Sequence, residues 1–257
     1  MTELFLAELR RSWIQLLRYS TEAIAGIVIT TVVFYGLFLS AQYMAGPNLQ
    51  FGERLDSVII GYVLWTLALF IMTDIAGNLQ REAQTGTLEQ LFISPYSATQ
   101  VFLTRAIASL SIQLTLLAGI LGTIMLLTGS RLSFPLAVLP AFITVLLGAY
   151  GLAFAMGSLS LLLKQVQQLL GIFQFALLFL LAVPSESWTG SLKLLALLLP
   201  MAPGAGLLRQ VMAQGQPLQP IPLLLAMVNG ALYLTFGLVM FRLAERETKR
   251  RGKLGGY

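Results

Sequence analysis

The sequence predicts an all-α polytopic membrane protein: six transmembrane helices with an N-terminal amphipathic interface helix and a re-entrant hairpin after the fifth span. Three observations carry the prediction. Apolar residues make up 57% of the 257 and charged residues 11%, against roughly 25% charged in a soluble domain, so too little charge is present to cover a water-facing surface. The mean hydropathy is +0.81. The apolar residues gather into long stretches, most of them at or above the ~20 residues a helix needs to cross the hydrocarbon core. Six spans use about half of the chain. The remainder suffices for short loops, an N-terminal segment and a tail, so residues 1–257 read as a single transmembrane domain without a second soluble domain of ordinary size.

The elements follow in order. Residues 1–20 are amphipathic, with Phe5, Leu9, Trp13 and Leu16 recurring at helical spacing and Glu8, Arg11, Gln15 and Arg18 on the other face. This suits a helix in the membrane interface with Trp13 at headgroup level; a solvated helix packed on the protein's own loops is the alternative. Glu3, Glu8, Arg10, Arg11 and Arg18 precede the first long apolar run, which is not the basic-then-apolar layout of a cleavable signal peptide. The spans run approximately Ala23–Met44, Ser57–Leu79, Val101–Thr128, Leu136–Leu163, Leu169–Val183 and Ile221–Leu243. The fifth is short and is expected to start nearer Gln165. A further apolar run, Leu192–Leu199, is bounded by Gly190 and by Pro200, Pro203 and Gly204. Its eight residues cover ~12 Å as a helix, too little to cross, so residues 185–215 read as an extracytoplasmic re-entrant hairpin, with Ala205–Met212 as its second arm. In the fourth span, Ala149, Ala153 and Gly157, and Gly151 and Ala155, repeat at i, i+4, which lets helix backbones approach closely.

Orientation follows from Lys and Arg. With the N-terminus inside, twelve of the 16 fall on the cytoplasmic side and four, Arg54, Arg131, Lys193 and Arg209, outside. Both termini are then cytoplasmic, and the basic tail 244–257 faces anionic lipid; a nucleic-acid tail is the rival reading, but juxtamembrane basic clusters are ordinary. The sequence has no cysteine and no histidine, which removes disulfides, thiol catalysis and the commonest zinc ligands.

The informative stretch is the cytoplasmic loop 80–98, between spans two and three. Thr87 with Gln90 forms a capping box, Gly86 supplies the bend before it, and Pro95 ends the helix near Ser94. Ser97 with Gln100 is a second capping box that opens the third span. The result is a short helix with Leu88, Leu91 and Phe92 on one side, tied at both ends to transmembrane helices. Exposed Leu and Phe on such a helix call for a partner groove.

Arg81-Glu82 followed by Gly86-Thr87-Leu88-Glu89-Gln90-Leu91 and Ser94-Pro95 resembles the loop that marks permeases of the ABC-2 exporter family. The amphipathic N-terminal helix, six spans, broken hairpin and basic tail are similar too, so the resemblance covers essentially the whole chain. It implies a coupling helix at about Thr87–Ser94 that docks on an ABC ATP-binding subunit, with Glu82, Gly86, Thr87, Leu88, Glu89, Leu91 and Phe92 as the ATPase-subunit contact. It further implies a transport subunit with no ATPase site of its own, two ATP-binding subunits, a second permease chain in a homodimer or heterodimer, and a multi-pass place in the inner membrane of a prokaryote. No G-x-x-x-x-G-K-[ST] string is present; Arg251-Gly-Lys-Leu-Gly-Gly is a tail with lysine. ATP and Mg would be bound by the partner, and this chain is expected to hold no cofactor and no metal. The haem-exporter permeases of cytochrome c maturation have a similar loop and are the nearest alternative. The family handles drugs, lipids, peptides, glycans and ions, and the apolar path here favours an amphipathic or lipid-like cargo.

Charges at membrane depth are the usual functional suspects. Asp74 near the end of span two and Arg105 one turn into span three lie at similar depth and form a candidate intramembrane ion pair. Lys164 reads as snorkelling to the interface, and Gln113, Gln168, Gln174 and Asn229 either line a path or hydrogen-bond between helices. An ion-coupled secondary transporter needs acids at mid-bilayer, and Asp74 lies near an end. An aspartyl intramembrane enzyme needs two facing carboxylates, whereas Asp56 and Asp74 fall on opposite sides.

Overall fold

The computed structural model describes residues 2–45, 52–85, 98–163 and 166–251. Among them the regular structure is all helical, with no strand. The elements are α1 (Thr2–Arg18), α2 (Ser20–Ala45), α3 (Gly52–Met72), a π-helical turn (Thr73–Gly77), α4 (Asn78–Thr85), α5 (Ala98–Thr128), α6 (Val138–Leu162), α7 (Gln167–Ala182), a 3-10 turn (Ser185–Ser187), α8 (Ser191–Leu198), α9 (Ala202–Met212) and α10 (Pro220–Arg251). Among the described residues five apolar stretches are long enough to cross a membrane, Ser20–Ser40, Leu55–Glu82, Thr99–Thr128, Val138–Leu162 and Pro220–Arg250, or six if the bent pair Leu192–Leu198 and Ala202–Met212 is one span. The short fifth span of the sequence is α7, whose 16 residues reach ~24 Å.

The apolar run Leu55–Glu82 forms the axis of the bundle. Leu67, Ile71, Ile75 and Leu79, and beside them Ala68, Met72 and Ala76, step along it at intervals of four and are fully buried. This chain of residues packs against α5, α6, α7 and the hairpin. By contrast α2 leaves Ile24, Val28, Ile29, Val32 and Leu37 exposed. A helix that is apolar all round and still largely bare is a helix whose solvent is lipid or another membrane helix.

Helices α6 and α10 pack most extensively, and glycine is the reason. A Cβ at Gly237 would fall on the backbone carbonyl of Gly151, and one at Gly151 on the peptide of Tyr233. Backbone meets backbone here, so dispersion contacts replace the hydrophobic drive that lipid cannot supply. Gly237→Val should therefore separate the pair and lower stability by at least 1–3 kcal/mol, the ordinary range for overpacking. A drop in the detergent unfolding temperature would register it, whereas an unchanged temperature would contradict the packing.

The short run after the fifth span becomes two helices, α8 and α9, that meet at 101°. Proline at 200 and 203 breaks the path between them, and Met201 takes a left-handed φ of 62°. A break in an apolar setting frees backbone carbonyls that must find partners. Asn229 of α10 donates to the Leu197 and Leu199 carbonyls at 2.8 and 3.3 Å, and the Tyr233 hydroxyl donates to that of Leu198 at 2.8 Å. Asn229 thus bonds between elements, the second of the two roles open to it.

Candidate functional site

A polar seam runs between the Leu55–Glu82 stretch and α5. At its edge stands Arg105, one turn into the apolar part of α5. Its Nη1 donates to Glu82 Oε1 at 2.5 Å and its Nε to Glu8 Oε1 at 3.5 Å. The guanidinium carbon lies 5.5 Å from the Phe102 ring centroid, a cation–π distance. All three charged side chains are mostly buried, at 16% exposure for Arg105, 22% for Glu82 and 12% for Glu8. One cation thus joins three helices, α1, α4 and α5.

One turn further along α5 is a second polar group. Asp74 Oδ1 accepts from Asn78 at 2.9 Å, and Oδ2 accepts from the Ser109 hydroxyl and, at 3.3 Å, from the Gln113 amide. Asp74 sits in the π-helical turn Thr73–Gly77. Such turns widen the helix by one residue and recur at functional sites. The structure therefore corrects the expected Asp74–Arg105 pair: Arg105 is taken by Glu8 and Glu82, and Asp74 by hydroxyl and amide donors. Glu8 also moves from the water-facing side of α1 to the side facing α5, since α1 packs on α5.

Glu82 is the one described residue of the expected ATPase-subunit contact. Gly86, Thr87, Leu88, Glu89, Leu91 and Phe92, with the helix expected at Thr87–Ser94 and the capping residue Ser97, lie outside the described residues. Their frame is described: α4 ends at Thr85, and α5 begins at Ala98. The charge cluster sits directly on that frame, holding the last turn of α4 to the second turn of α5. Arg105→Ala would remove both guanidinium contacts, leaving Glu8 with Arg11 at 3.6 Å, a loss of about 2–3 kcal/mol on the scale of hydrogen bonds to charged groups. Exchanging the charges, Arg105→Glu with Glu82→Arg, should recover part of the loss in a detergent melting experiment, because the Glu82 contact is the shorter of the two.

The opposite end of the bundle holds a group that sequence reasoning did not find. Arg209, placed among the outside cations, is 1% exposed. Its Nη1 meets Glu186 Oε2 at 2.9 Å, its Nε meets the Ser57 carbonyl at 3.3 Å, and Nη2 donates to the Leu181 carbonyl. It thereby ties α3, α7, the 3-10 turn and α9 together. Gly61 makes the room, because a Cβ there would sit 3.0 Å from Nη2 and collide with the Leu181 carbonyl. Near it, Asp56 accepts from the Ser130 hydroxyl. Asp56 and Asp74 therefore have separate partners, at opposite ends of the same stretch, and do not face each other. Among the described residues no group of His, Cys, Asp or Glu is placed to hold a metal ion.

Two cavities adjoin the hairpin. One, of about 350 Å³, has Glu186, Lys193, Gln210 and Gln219 on its walls. The other, of about 380 Å³, is walled chiefly by apolar residues including Val228, Leu232 and Phe236. Leu197 and Leu225 belong to both, so a cup with polar side chains set among apolar ones adjoins an apolar groove along α10.

The described residues form an all-helical, multi-pass bundle with a charge cluster beside segment 86–97. The family model for ABC-2 type transporters matches residues 3–213. The chain belongs to the ABC-2 type transporter family and is a permease subunit of that class. Membership brings partnership with an ABC ATP-binding subunit and dimerisation. Comparison with curated proteins finds no significant match.

Proposed function

We propose that this permease moves an amphipathic or lipid-like substrate outward, powered by a separate ATP-binding subunit that docks on the 87–94 segment. Two such subunits, carrying the ATP and Mg, would serve a pair of permease chains in the inner membrane of a prokaryote, with both termini cytoplasmic. The observation that carries the reading is the Glu8–Arg105–Glu82 cluster. A push on the segment between Thr85 and Ala98 reaches α4 and α5 directly, and through Arg105 it reaches α1. Three helices then respond together, as a machine driven from one loop requires. The cargo class is supported by the adjoining cavities, mostly apolar with a few polar groups at one end, which suit an amphipathic molecule.

Two measurements test this. The purified chain should hydrolyse no ATP alone and should co-purify with an ATP-binding chain; robust hydrolysis by the lone chain would falsify the permease reading. Cysteines introduced at Thr189 and Arg250, both exposed, should react from opposite sides of sealed vesicles. Reaction from the same side would overturn the orientation.

A further inference from the structure

The end of α10 carries a second built feature. Phe241 is fully buried, packing edge-on against Phe102 and Phe154 with ring centroids 5.8 and 5.5 Å away. Past this aromatic anchor the helix leaves its apolar stretch and presents Arg242, Arg246 and Lys249 at i, i+4 and i+7, which is one face. These three, with Thr99 and Glu245, line a cavity of about 370 Å³ that contains no apolar residue. Glu245 is 7% exposed, and its carboxylate is already engaged: Oε2 accepts from the Thr99 hydroxyl at 3.0 Å and Oε1 from Lys249 at 2.8 Å. Arg242 and Arg246 are exposed, and among the described residues neither enters an ion pair. The cup is therefore cationic by two after its one carboxylate is counted, and it offers two guanidinium forks, the geometry that matches phosphate.

We propose that this cup binds the headgroup phosphate of an anionic phospholipid, and that the bound headgroup fastens the end of α10 to the first turn of α5. Depth decides for lipid over a soluble anion. The cup opens where the apolar part of α10 ends and the polar part of α5 begins, the level of the headgroups. The lining carries three cations and one carboxylate, and basic pockets between transmembrane helices are the ordinary headgroup sites. The position also matters. Thr99 stands two residues beyond segment 86–97, so the lipid would steady one flank of the loop read above as the docking element. That last consequence rests on the proposed function; headgroup binding does not.

The test uses the full chain in neutral detergent, without an ATP-binding subunit, so its result is independent of the docking reading. Thermal unfolding is followed while short-chain phosphatidylglycerol, short-chain phosphatidylcholine or inorganic phosphate is added. The expected result is a saturable rise with phosphatidylglycerol only. The double variant Arg242→Ala/Arg246→Ala should weaken it roughly tenfold or more, since each basic residue near the surface contributes appreciably. Arg242→Lys/Arg246→Lys should keep most of it, and Arg250→Ala should leave it unchanged. An equal response of wild type and double variant overturns the proposal. So does a rise with inorganic phosphate alone, which would mean a free-anion site.

Discussion

Leu91→Asp should strip the ATP-binding subunit from the permease while leaving the membrane bundle intact. If Leu88, Leu91 and Phe92 insert into a groove on the partner, an aspartate there is a desolvated and unpaired charge, at a cost of several kcal/mol. At ~1.4 kcal/mol per tenfold, association weakens by two orders of magnitude or more. Glu89→Ala should do much less, because a rim charge is already screened by water. The mutant should insert, dimerise and melt like wild type, yet lose both co-purification and transport. Full retention of the ATP-binding subunit would remove the main support for the docking reading. Failure to insert would mean that the helix packs on its own bundle. Arg105 gives a second handle on the same loop, since Arg105→Ala releases Glu82 and disturbs how motion is shared without altering Leu88, Leu91 or Phe92.

Glu186→Ala should be among the most destabilising single changes in the chain. It strands the Arg209 guanidinium, 1% exposed, with only the Ser57 and Leu181 carbonyls for company. Removing one partner of a buried pair costs about 3–5 kcal/mol, because the other charge stays buried. Replacing both, as in Arg209→Met with Glu186→Leu, should recover much of that loss, because well-packed apolar residues often substitute for a buried ion pair without penalty. Melting curves in detergent distinguish the outcomes. If Glu186→Ala melted with wild type, the Arg209 contacts would have to be dispensable.

Much of this was legible because hydropathy and chain punctuation act locally. The spans announced themselves by length, and Gly190, Pro200, Pro203 and Gly204 marked the hairpin before its geometry was known. Depth was legible too: Asp74 and Arg105 do lie near the same end. What the sequence does not contain is azimuth. Residue spacing places a side chain along a helix, but its direction around the axis depends on neighbours and, for Asp74, on a π-helical turn that adds a residue to the winding. So spacing pairs Arg105 with the acid at its depth, whereas the acids on its side are Glu82 and Glu8 of α1. Arg209 is a related case: its place in the hairpin's second arm puts it on the outside, and only the convergence of four elements buries it. The small-residue pattern in span four was informative, yet it did not say that Gly151 would meet the backbone of α10 in particular.

The break between α8 and α9 also has a temporal side. Three carbonyls, at residues 197, 198 and 199, are satisfied by Asn229 and Tyr233, some thirty residues later in the chain. While the protein is being made, the hairpin emerges before the groups that complete it exist. Left in hydrocarbon, those carbonyls would be costly, so the hairpin must wait in a wetter place until the last helix arrives. Insertion of α10 is then the event that seats the hairpin. A chain that stops short of residue 229 would keep its earlier spans but never close that end of the bundle.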